Sequence, residues 1–243
     1  MLAFRTSLPV LFGYLAIGIA FGLMLIDKKY PVWMAPVMSV IMFAGAGQYV
    51  AVGLFAAALP LHAILITELL VNIRHIVYGL SLITKFKKCG AWKYYLIFGL
   101  TDETYSLLTS TDVPEGEKAG PFYGTIAILD HLYWITGSVI GAVIGAVVTS
   151  KTSFSLEGVD FALTALFAVL LIEQILKTKD LLPPVLGAIT TLGAIVLWRF
   201  NILKDSNNIL IIALALGIAV LLMVRRPDSE SKAEALKVEE KNE

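Results

Sequence analysis

The side chains with the most chemical potential are Glu68, Asn72, Arg74 and His75, which lie together in the otherwise apolar stretch His62–Thr84. At ~1.5 Å per residue, a helix of this length would cross the ~30 Å hydrocarbon layer of a bilayer. Charged groups inside a membrane helix are costly, so they normally face a partner, a cavity or a substrate path. We favour a transport site, and the alternative is a structural network that joins Glu68 to His75 or Arg74.

Helical periodicity separates the polar groups of this stretch from an apolar side. At ~100° per residue, two adjoining polar stripes form, the first of Thr67, Arg74, Tyr78 and Ser81 and the second of Glu68, Asn72 and His75. The opposite arc contains no polar residue and can face lipid or apolar neighbours: Leu65, Ile66, Leu69, Leu70, Ile73, Ile76, Val77 and Leu80.

The composition is that of an all-α integral membrane protein. Of the 243 residues, 58% are hydrophobic and 16% are charged, and the mean hydropathy is +0.80. The net charge is zero and the basic residues form short clusters, so nucleic-acid binding is not supported. We expect a transport domain over 1–224 and a short, charged, solvated tail over 225–243.

Seven to eight apolar segments are predicted, at Leu8–Ile26, Val32–Leu59, His62–Thr84, Trp92–Ser110, Ile126–Thr149, Phe161–Leu176, Leu182–Phe200 and Ile209–Val224. The second is too long for one straight helix, and Gly45, Gly47 and Gln48 lie near its middle. A broken helix at Gly45–Gln48 would present backbone groups to a substrate, as transporters do. Close helix packing at the two glycines is the competing interpretation.

A second break is predicted at Gly99–Glu103, where Asp102 and Glu103 stand side by side. Adjacent carboxylates in a low dielectric are costly to ionise together, so one of them is expected to carry a proton. Proton or cation coupling is the resulting hypothesis, and an ion pair with Arg74 is its competitor. Asp130 and His131 could belong to a polar gate, but they are expected near the membrane interface, where solvation is the simpler interpretation.

The charge distribution predicts an unusual topology. The basic loop Lys85–Lys93 and the Arg225-Arg226 pair both favour the cytoplasm, yet five apolar segments separate them. Either one segment is re-entrant or the charge rule fails at one end, and we expect Trp92–Ser110 to enter the membrane without crossing it. The acidic loop Asp112–Gly120, which looks extracytoplasmic, argues against this interpretation.

Three motifs in order resemble the AzlC family of branched-chain amino acid permeases: Phe43-Ala44-Gly45-Ala46-Gly47-Gln48, Asn72-Ile73-Arg74-His75-Ile76-Val77-Tyr78-Gly79 and Gly99-Leu100-Thr101-Asp102-Glu103. The resemblance covers roughly residues 5 to 224. It implies an exporter of branched-chain amino acids in the cytoplasmic (inner) membrane, working with a small membrane subunit of the AzlD type. The motifs map onto Gly45, Gly47, Gln48, Asn72, Arg74, His75, Tyr78, Thr101, Asp102 and Glu103.

We assign substrate binding to Gly45, Gly47, Gln48, Asn72, Arg74 and Tyr78, and coupling or proton transfer to Glu68, His75, Asp102 and Glu103. Within this scheme Arg74 binds the substrate carboxylate, and Glu68 or Asp102, with Gln48, binds the ammonium. We expect a transporter and not an enzyme, because the chain has no zinc-binding His-Glu-x-x-His element and no Gly-x-Ser-x-Gly motif. No metal or cofactor is expected. A membrane-embedded enzyme or a channel that uses the same polar cluster is the alternative, and a homo-oligomer remains open.

Overall fold

A computed structural model describes residues 2–151, 161–202 and 208–224, and within those ranges all regular secondary structure is helical. The helices are α1 Leu2–Asp27, α2 Met34–Ile41, α3 Ala46–Ala56, α4 Leu61–Asn72, α5 Arg74–Ser81, α6 Ile83–Lys87, α7 Trp92–Phe98, α8 Asp102–Ser110, α9 Ala119–Lys151, α10 Phe161–Thr178, α11 Leu182–Arg199 and α12 Asn208–Val224. The expected tail 225–243 and the Arg225-Arg226 pair lie outside the described residues.

The chain forms two compact units, Met1–Leu170 and Leu171–Glu243. In the second unit, α11 packs against α12. All the site residues predicted from the sequence lie in the first unit.

The helices α1 and α9 form the centre of the first unit, because glycines let their backbones approach closely. A Cβ built on Gly18 would lie 3.0 Å from the Ser138 backbone nitrogen, and one built on Gly137 would lie 2.9 Å from the Tyr14 carbonyl oxygen. Gly141 and Gly22 leave still less room at the same interface. Small residues at four-residue spacing are typical of close helix packing in membranes. Around this contact, Phe21, Tyr49 and Trp134 are almost fully buried.

Among the described residues, three helices are long and apolar enough to cross a membrane by themselves: α1, α9 over Ala119–Ser150, and α11. The pair α4 and α5 passes the same test when taken together, with a bend of 40° between them. The all-helical membrane class is therefore supported, whereas the number of seven to eight crossings stays a prediction.

The stretch His62–Thr84 is not the single straight helix of the sequence analysis, because it is divided among α4, α5 and the start of α6. The polar stripes and the apolar arc nevertheless stay separate on either side of the 40° bend. Seven of the eight residues of the apolar arc are exposed, from Ile73 at 44% to Leu80 at 63%, while Thr67 on the polar stripe is 1% exposed. The bend falls at Ile73, between Asn72 and Arg74, so it changes direction where the polar groups are densest.

Both predicted breaks are present. Between α2 and α3 the helix stops at Ile41 and restarts at Ala46, with Gly45 at φ +36°. The break therefore lies earlier than the predicted Gly45–Gln48, and Gly47 and Gln48 belong to α3. The left-handed backbone conformation of Gly45 favours glycine, because a side chain would be strained there. Between α7 and α8 the chain is non-helical from Gly99 to Thr101, and the Thr101 hydroxyl caps α8 by accepting from the Thr104 backbone N–H.

The chain enters α7 and leaves α8 on the same side of the first unit. Near the beginning, the Cys89 carbonyl oxygen lies 2.6 Å from a Cβ built on Gly120, at the start of α9. Near the end, the Tyr123 hydroxyl donates to the Thr111 carbonyl at 3.0 Å. The Lys85 ammonium, at the end of α6, donates to the Leu108 carbonyl at 2.8 Å. This geometry agrees with the re-entrant interpretation of Trp92–Ser110 and brings the acidic loop beside the basic one.

Candidate functional site

The broken segments converge on one open cavity, whose unfilled space is about 420 Å³ with its mouth included. Five parts of the chain line its wall: α1, the α2–α3 break, the start of α5, the start of α8 and α9. The lining residues are Tyr14, Ile17, Phe43, Ala44, Gly45, Ala46, Arg74, His75, Thr101, Asp102, Glu103 and Trp134.

Arg74 and Asp102 form an ion pair at one side of the cavity, with 3.0 Å between the guanidinium Nη2 and the carboxylate Oδ2. The Tyr78 hydroxyl donates to the other carboxylate oxygen of Asp102 at 2.6 Å. Arg74 retains binding capacity, because its Nε is buried and has no hydrogen-bond partner among the described residues. The predicted competitor, an ion pair with Arg74, is therefore present, but it occupies only part of the guanidinium.

A second polar group surrounds Gly47. Asn72 Nδ2 donates to Glu68 Oε2 at 2.9 Å, and a Cβ added to Gly47 would lie 2.7 Å from Asn72 Nδ2. Two acceptor atoms, Glu68 Oε1 and Asn72 Oδ1, are buried and have no partner among the described residues. The structural network predicted from the sequence joined Glu68 to His75 or Arg74. In the structure Glu68 instead bonds Asn72, and His75 Nδ1 bonds the Asn72 backbone carbonyl at 3.0 Å.

Gln48 holds the α2–α3 break in place from behind the cavity. Its side chain is fully buried. Its Oε1 accepts from Trp134 Nε1 at 2.7 Å and from the Ala44 backbone N–H at 3.4 Å, while Nε2 donates to the Ser39 hydroxyl at 3.3 Å. Both ends of the Gln48 amide are therefore engaged by the protein, and Gln48 is not among the lining residues.

A series of hydroxyl groups runs from the cavity into the interior. The Tyr14 hydroxyl lies 2.8 Å from Glu103 Oε2 and contacts the Thr101 hydroxyl. The Thr101 hydroxyl lies 3.0 Å from that of Thr104, which lies 2.8 Å from Asp130 Oδ2. Two carboxyl groups far apart in the sequence are therefore connected through three hydroxyls.

The expectation that Asp130 and His131 lie in a solvated interface is wrong. Asp130 is 0% exposed and His131 is 7% exposed. The helix α9 begins at Ala119, earlier than the apolar segment suggests, so both residues lie well inside it. His131 stacks on Phe43 with 4.2 Å between ring centroids, and its ring nitrogens contact the Tyr95 hydroxyl and the Ser39 carbonyl.

The structure brings most of the predicted site residues together. Gly45, Arg74, His75, Asp102 and Glu103 line the cavity, and Tyr78 reaches it through Asp102. Gly47, Glu68 and Asn72 form the adjoining group, and Gln48 supports the break.

Sequence reasoning missed Tyr14, Trp134 and the role of Asp130. A polar residue in the middle of an apolar helix is the signal that could have identified Tyr14, but its partners come from distant segments. The burial of Asp130 required knowing where α9 begins.

The class of protein follows from these features: an all-helical membrane protein with broken helices around a charged cavity, as in transporters. Residues 9–148 match the family described as "AzlC protein". The chain is 36% identical to the "Branched-chain amino acid transport protein AzlC" of Bacillus subtilis, over 93% of this chain and 85% of that protein. It is also 36% identical to an "Uncharacterized membrane protein" of Helicobacter pylori, over 92% of this chain and 94% of that protein. No solved structure matches.

The chain belongs to the AzlC family, and as a homologue of a branched-chain amino acid transport protein it is a membrane transport protein.

Proposed function

We propose that this chain exports branched-chain amino acids across the cytoplasmic membrane, driven by protons and assisted by a small AzlD-type subunit. The observation that carries the proposal is the charged cavity between broken helices, in which Arg74 keeps an unpartnered donor. The name of the Bacillus subtilis relative supports the substrate class.

The substrate carboxylate is assigned to Arg74. A guanidinium offers several coplanar donors, which match the two oxygens of a carboxylate. Asp102, which accepts a hydrogen bond from the Tyr78 hydroxyl, orients the guanidinium from one side. The free Nε then leaves a donor for the carboxylate of an amino acid in the cavity.

The substrate ammonium is assigned to Glu68, with Asn72 beside it, in preference to Asp102 and Gln48. Glu68 Oε1 and Asn72 Oδ1 are unpartnered acceptors, whereas Asp102 is paired and Gln48 is enclosed. Both side chains pack against Gly47, next to Ala46 of the cavity wall. A buried acceptor without a donor is costly, and an ammonium supplies three donors.

Proton coupling is assigned to the carboxyl pair at the start of α8. Asp102 serves as the counter-ion of Arg74, which leaves Glu103 to exchange a proton with the cavity. His75 lies in the same wall and is a second candidate for proton transfer.

The experiment is transport by purified protein in lipid vesicles, with and without a co-expressed small membrane subunit of the AzlD type. Vesicles loaded with unlabelled leucine should take up labelled leucine by counterflow, which an enzyme or a simple channel would not support. A pH gradient should drive net movement. If neither leucine, isoleucine, valine nor methionine moved under either condition, the proposal would fail.

A further inference from the structure

We propose that Glu103 and Asp130 share a single proton through the hydroxyls of Tyr14, Thr101 and Thr104, which form a proton-conducting chain from the cavity to a buried store. Glu103 is the cavity end of this chain and Asp130 the buried end. The chain is defined by its oxygen contacts, which link residues of α1, α8 and α9.

The number of hydrogen atoms available for hydrogen bonds within the chain shows that one carboxyl group must be protonated. The chain has four oxygen–oxygen contacts, namely Glu103 to Tyr14, Tyr14 to Thr101, Thr101 to Thr104 and Thr104 to Asp130. Each contact needs one hydrogen, but each hydroxyl has only one to donate. If both carboxyl groups were ionised, one contact would join two oxygens without a hydrogen. One carboxyl group must therefore supply the fourth.

Only two arrangements fill every contact. In the first, protonated Glu103 donates to Tyr14, Tyr14 to Thr101, Thr101 to Thr104, and Thr104 to the Asp130 carboxylate. In the second, protonated Asp130 donates to Thr104 and each later donation is reversed, so that Tyr14 donates to the Glu103 carboxylate. The Thr101 hydroxyl also accepts from the Thr104 N–H at 3.2 Å, and its two lone pairs allow this in both arrangements.

Conversion between the two arrangements moves one proton and no electrons. Glu103 gives its proton to Tyr14, each hydroxyl passes its own proton to the next oxygen, and Asp130 receives the last. Glu103 becomes a carboxylate and Asp130 a carboxylic acid. No co-reactant is needed, and the reverse step restores the start.

The burial of the two ends places the resting proton on Asp130. Asp130 is fully buried, and its Oδ1 has no hydrogen-bond partner among the described residues. A carboxylate in that position would be far costlier than a neutral acid. Glu103 interacts with Asp102, Arg74 and Tyr14, and Asp130 with Glu103, Thr104 and Tyr95. At the cavity end, the Tyr14 hydroxyl and the Arg74 guanidinium favour an anionic Glu103, whereas the neighbouring Asp102 carboxylate opposes it.

The chain would couple cavity occupancy to proton position, and this consequence rests on the proposed transport function. A positive charge that enters the cavity stabilises anionic Glu103 and keeps the proton on Asp130. Loss of that charge makes transfer of the proton from Asp130 to Glu103 less costly, and from Glu103 the proton can leave to solvent.

Infrared spectroscopy of the purified protein tests the shared proton without any transport, because a protonated carboxyl gives a C=O band distinct from carboxylate. Glu103→Gln places an amide donor at the cavity end, so the chain no longer needs a proton from Asp130. The pH at which the Asp130 band disappears should then fall by about one unit, a tenfold loss of proton affinity. Asp130→Asn should remove the band.

A double-mutant cycle separates this mechanism from two independent carboxyl groups. In a Thr104→Val background the chain is interrupted, so Glu103→Gln should shift the Asp130 band clearly less than in the parent, because only the through-space effect of the Glu103 charge remains. Thr104→Ser should keep the full coupling. Tyr14→Phe interrupts the chain elsewhere and should have the same effect as Thr104→Val. Tyr49→Phe is the matched control, because Tyr49 is equally buried but donates to the Ile17 carbonyl outside the chain.

The proposal would be overturned if Glu103→Gln in the parent did not shift the pH at which the Asp130 band disappears. It would also be overturned if Glu103→Gln shifted that pH equally in the parent and in both interrupted backgrounds. Failure of leucine counterflow would instead refute the proposed function and leave the infrared result standing.

Discussion

Arg74 combines a structural and a binding capacity in one side chain. Its Nη2 pairs with Asp102 at 3.0 Å, but its Nε is buried without a partner among the described residues. A purely structural ion pair would gain nothing from the unsatisfied donor, because such a group costs free energy. The open donor is the feature that a substrate carboxylate would satisfy.

Arg74→Lys tests that assignment. Lysine keeps the charge and can still pair with Asp102, but it has no planar fork, so we expect affinity for leucine to fall at least about tenfold, or ~1.4 kcal/mol. Binding titration on purified protein measures this. Arg5→Lys, on the exposed side of α1, is the control and should bind as the parent does. Affinity within a factor of ~2 of the parent, under ~0.5 kcal/mol, would remove Arg74 from the substrate site.

The sequence predicted the local placement of these residues better than their partners. Periodicity separated Arg74 and Tyr78 from the exposed apolar arc, because both faces belong to one continuous segment. It could not predict that Tyr14 would contact Glu103, since that contact joins residues far apart in the chain. The solvated interpretation of Asp130 failed because an apolar window does not fix where a helix begins.

At the scale of elements, α7 and α8 act as a short hairpin that carries Asp102 and Glu103 to its tip. Contacts from Arg74 to Asp102, from Ser81 to Tyr105 and from Lys85 to Leu108 show that α8 runs parallel to α5 and α6. Since α6 and α8 end at the same end of the unit, α7 must return toward the interior. Gly99, which follows α7, and Thr101, which caps the start of α8, permit this reversal beside the cavity.

We expect the basic and acidic loops to be accessible from the same side of the membrane. Single cysteines at Lys88 and Glu115, both exposed, should label from one side, and one at His62, at the far end of α4, from the other. Burial raises the pKa of the native Cys89 thiol, which keeps less of it as reactive thiolate at neutral pH. A Cys89→Ser background removes the remaining reaction. Labelling of Lys88 and Glu115 positions from opposite sides would contradict the re-entrant arrangement.

The α1–α9 contact depends on glycine at particular positions, and α1 contains its own control. A Cβ on Gly22 would collide with the Ser138 carbonyl, whereas Gly13 has nothing within 4 Å. We expect Gly22→Ala to destabilise the fold by about 1–3 kcal/mol through overpacking. Gly13→Ala should be neutral or stabilising by up to about 1 kcal/mol. Thermal unfolding in detergent compares them, and equal midpoints would show that the close approach does not matter.

At the scale of the molecule, the first unit combines a rigid centre with interrupted helices at its polar side. Glycine contacts hold α1 and α9 together, while the breaks at Gly45 and Gly99 and the bend at Ile73 all lie around the cavity. Interrupted helices can rearrange locally at lower cost than a continuous helix, because fewer backbone hydrogen bonds must break. Such a division suits alternating access, in which one part moves around a fixed site.

Replacement of each carboxyl of the α8 pair by its amide should separate exchange from proton-driven transport. Glu103→Gln preserves the shape of the cavity but removes the group that exchanges a proton with it, so we expect leucine counterflow to continue while accumulation driven by a pH gradient is lost. Asp102→Asn removes the counter-ion of Arg74 and should mainly change substrate affinity. Both variants are compared with the parent in vesicles across a range of pH. Unchanged pH dependence in both would return the pair to a structural role, because a carboxyl that carries the coupled proton cannot be replaced by an amide without effect.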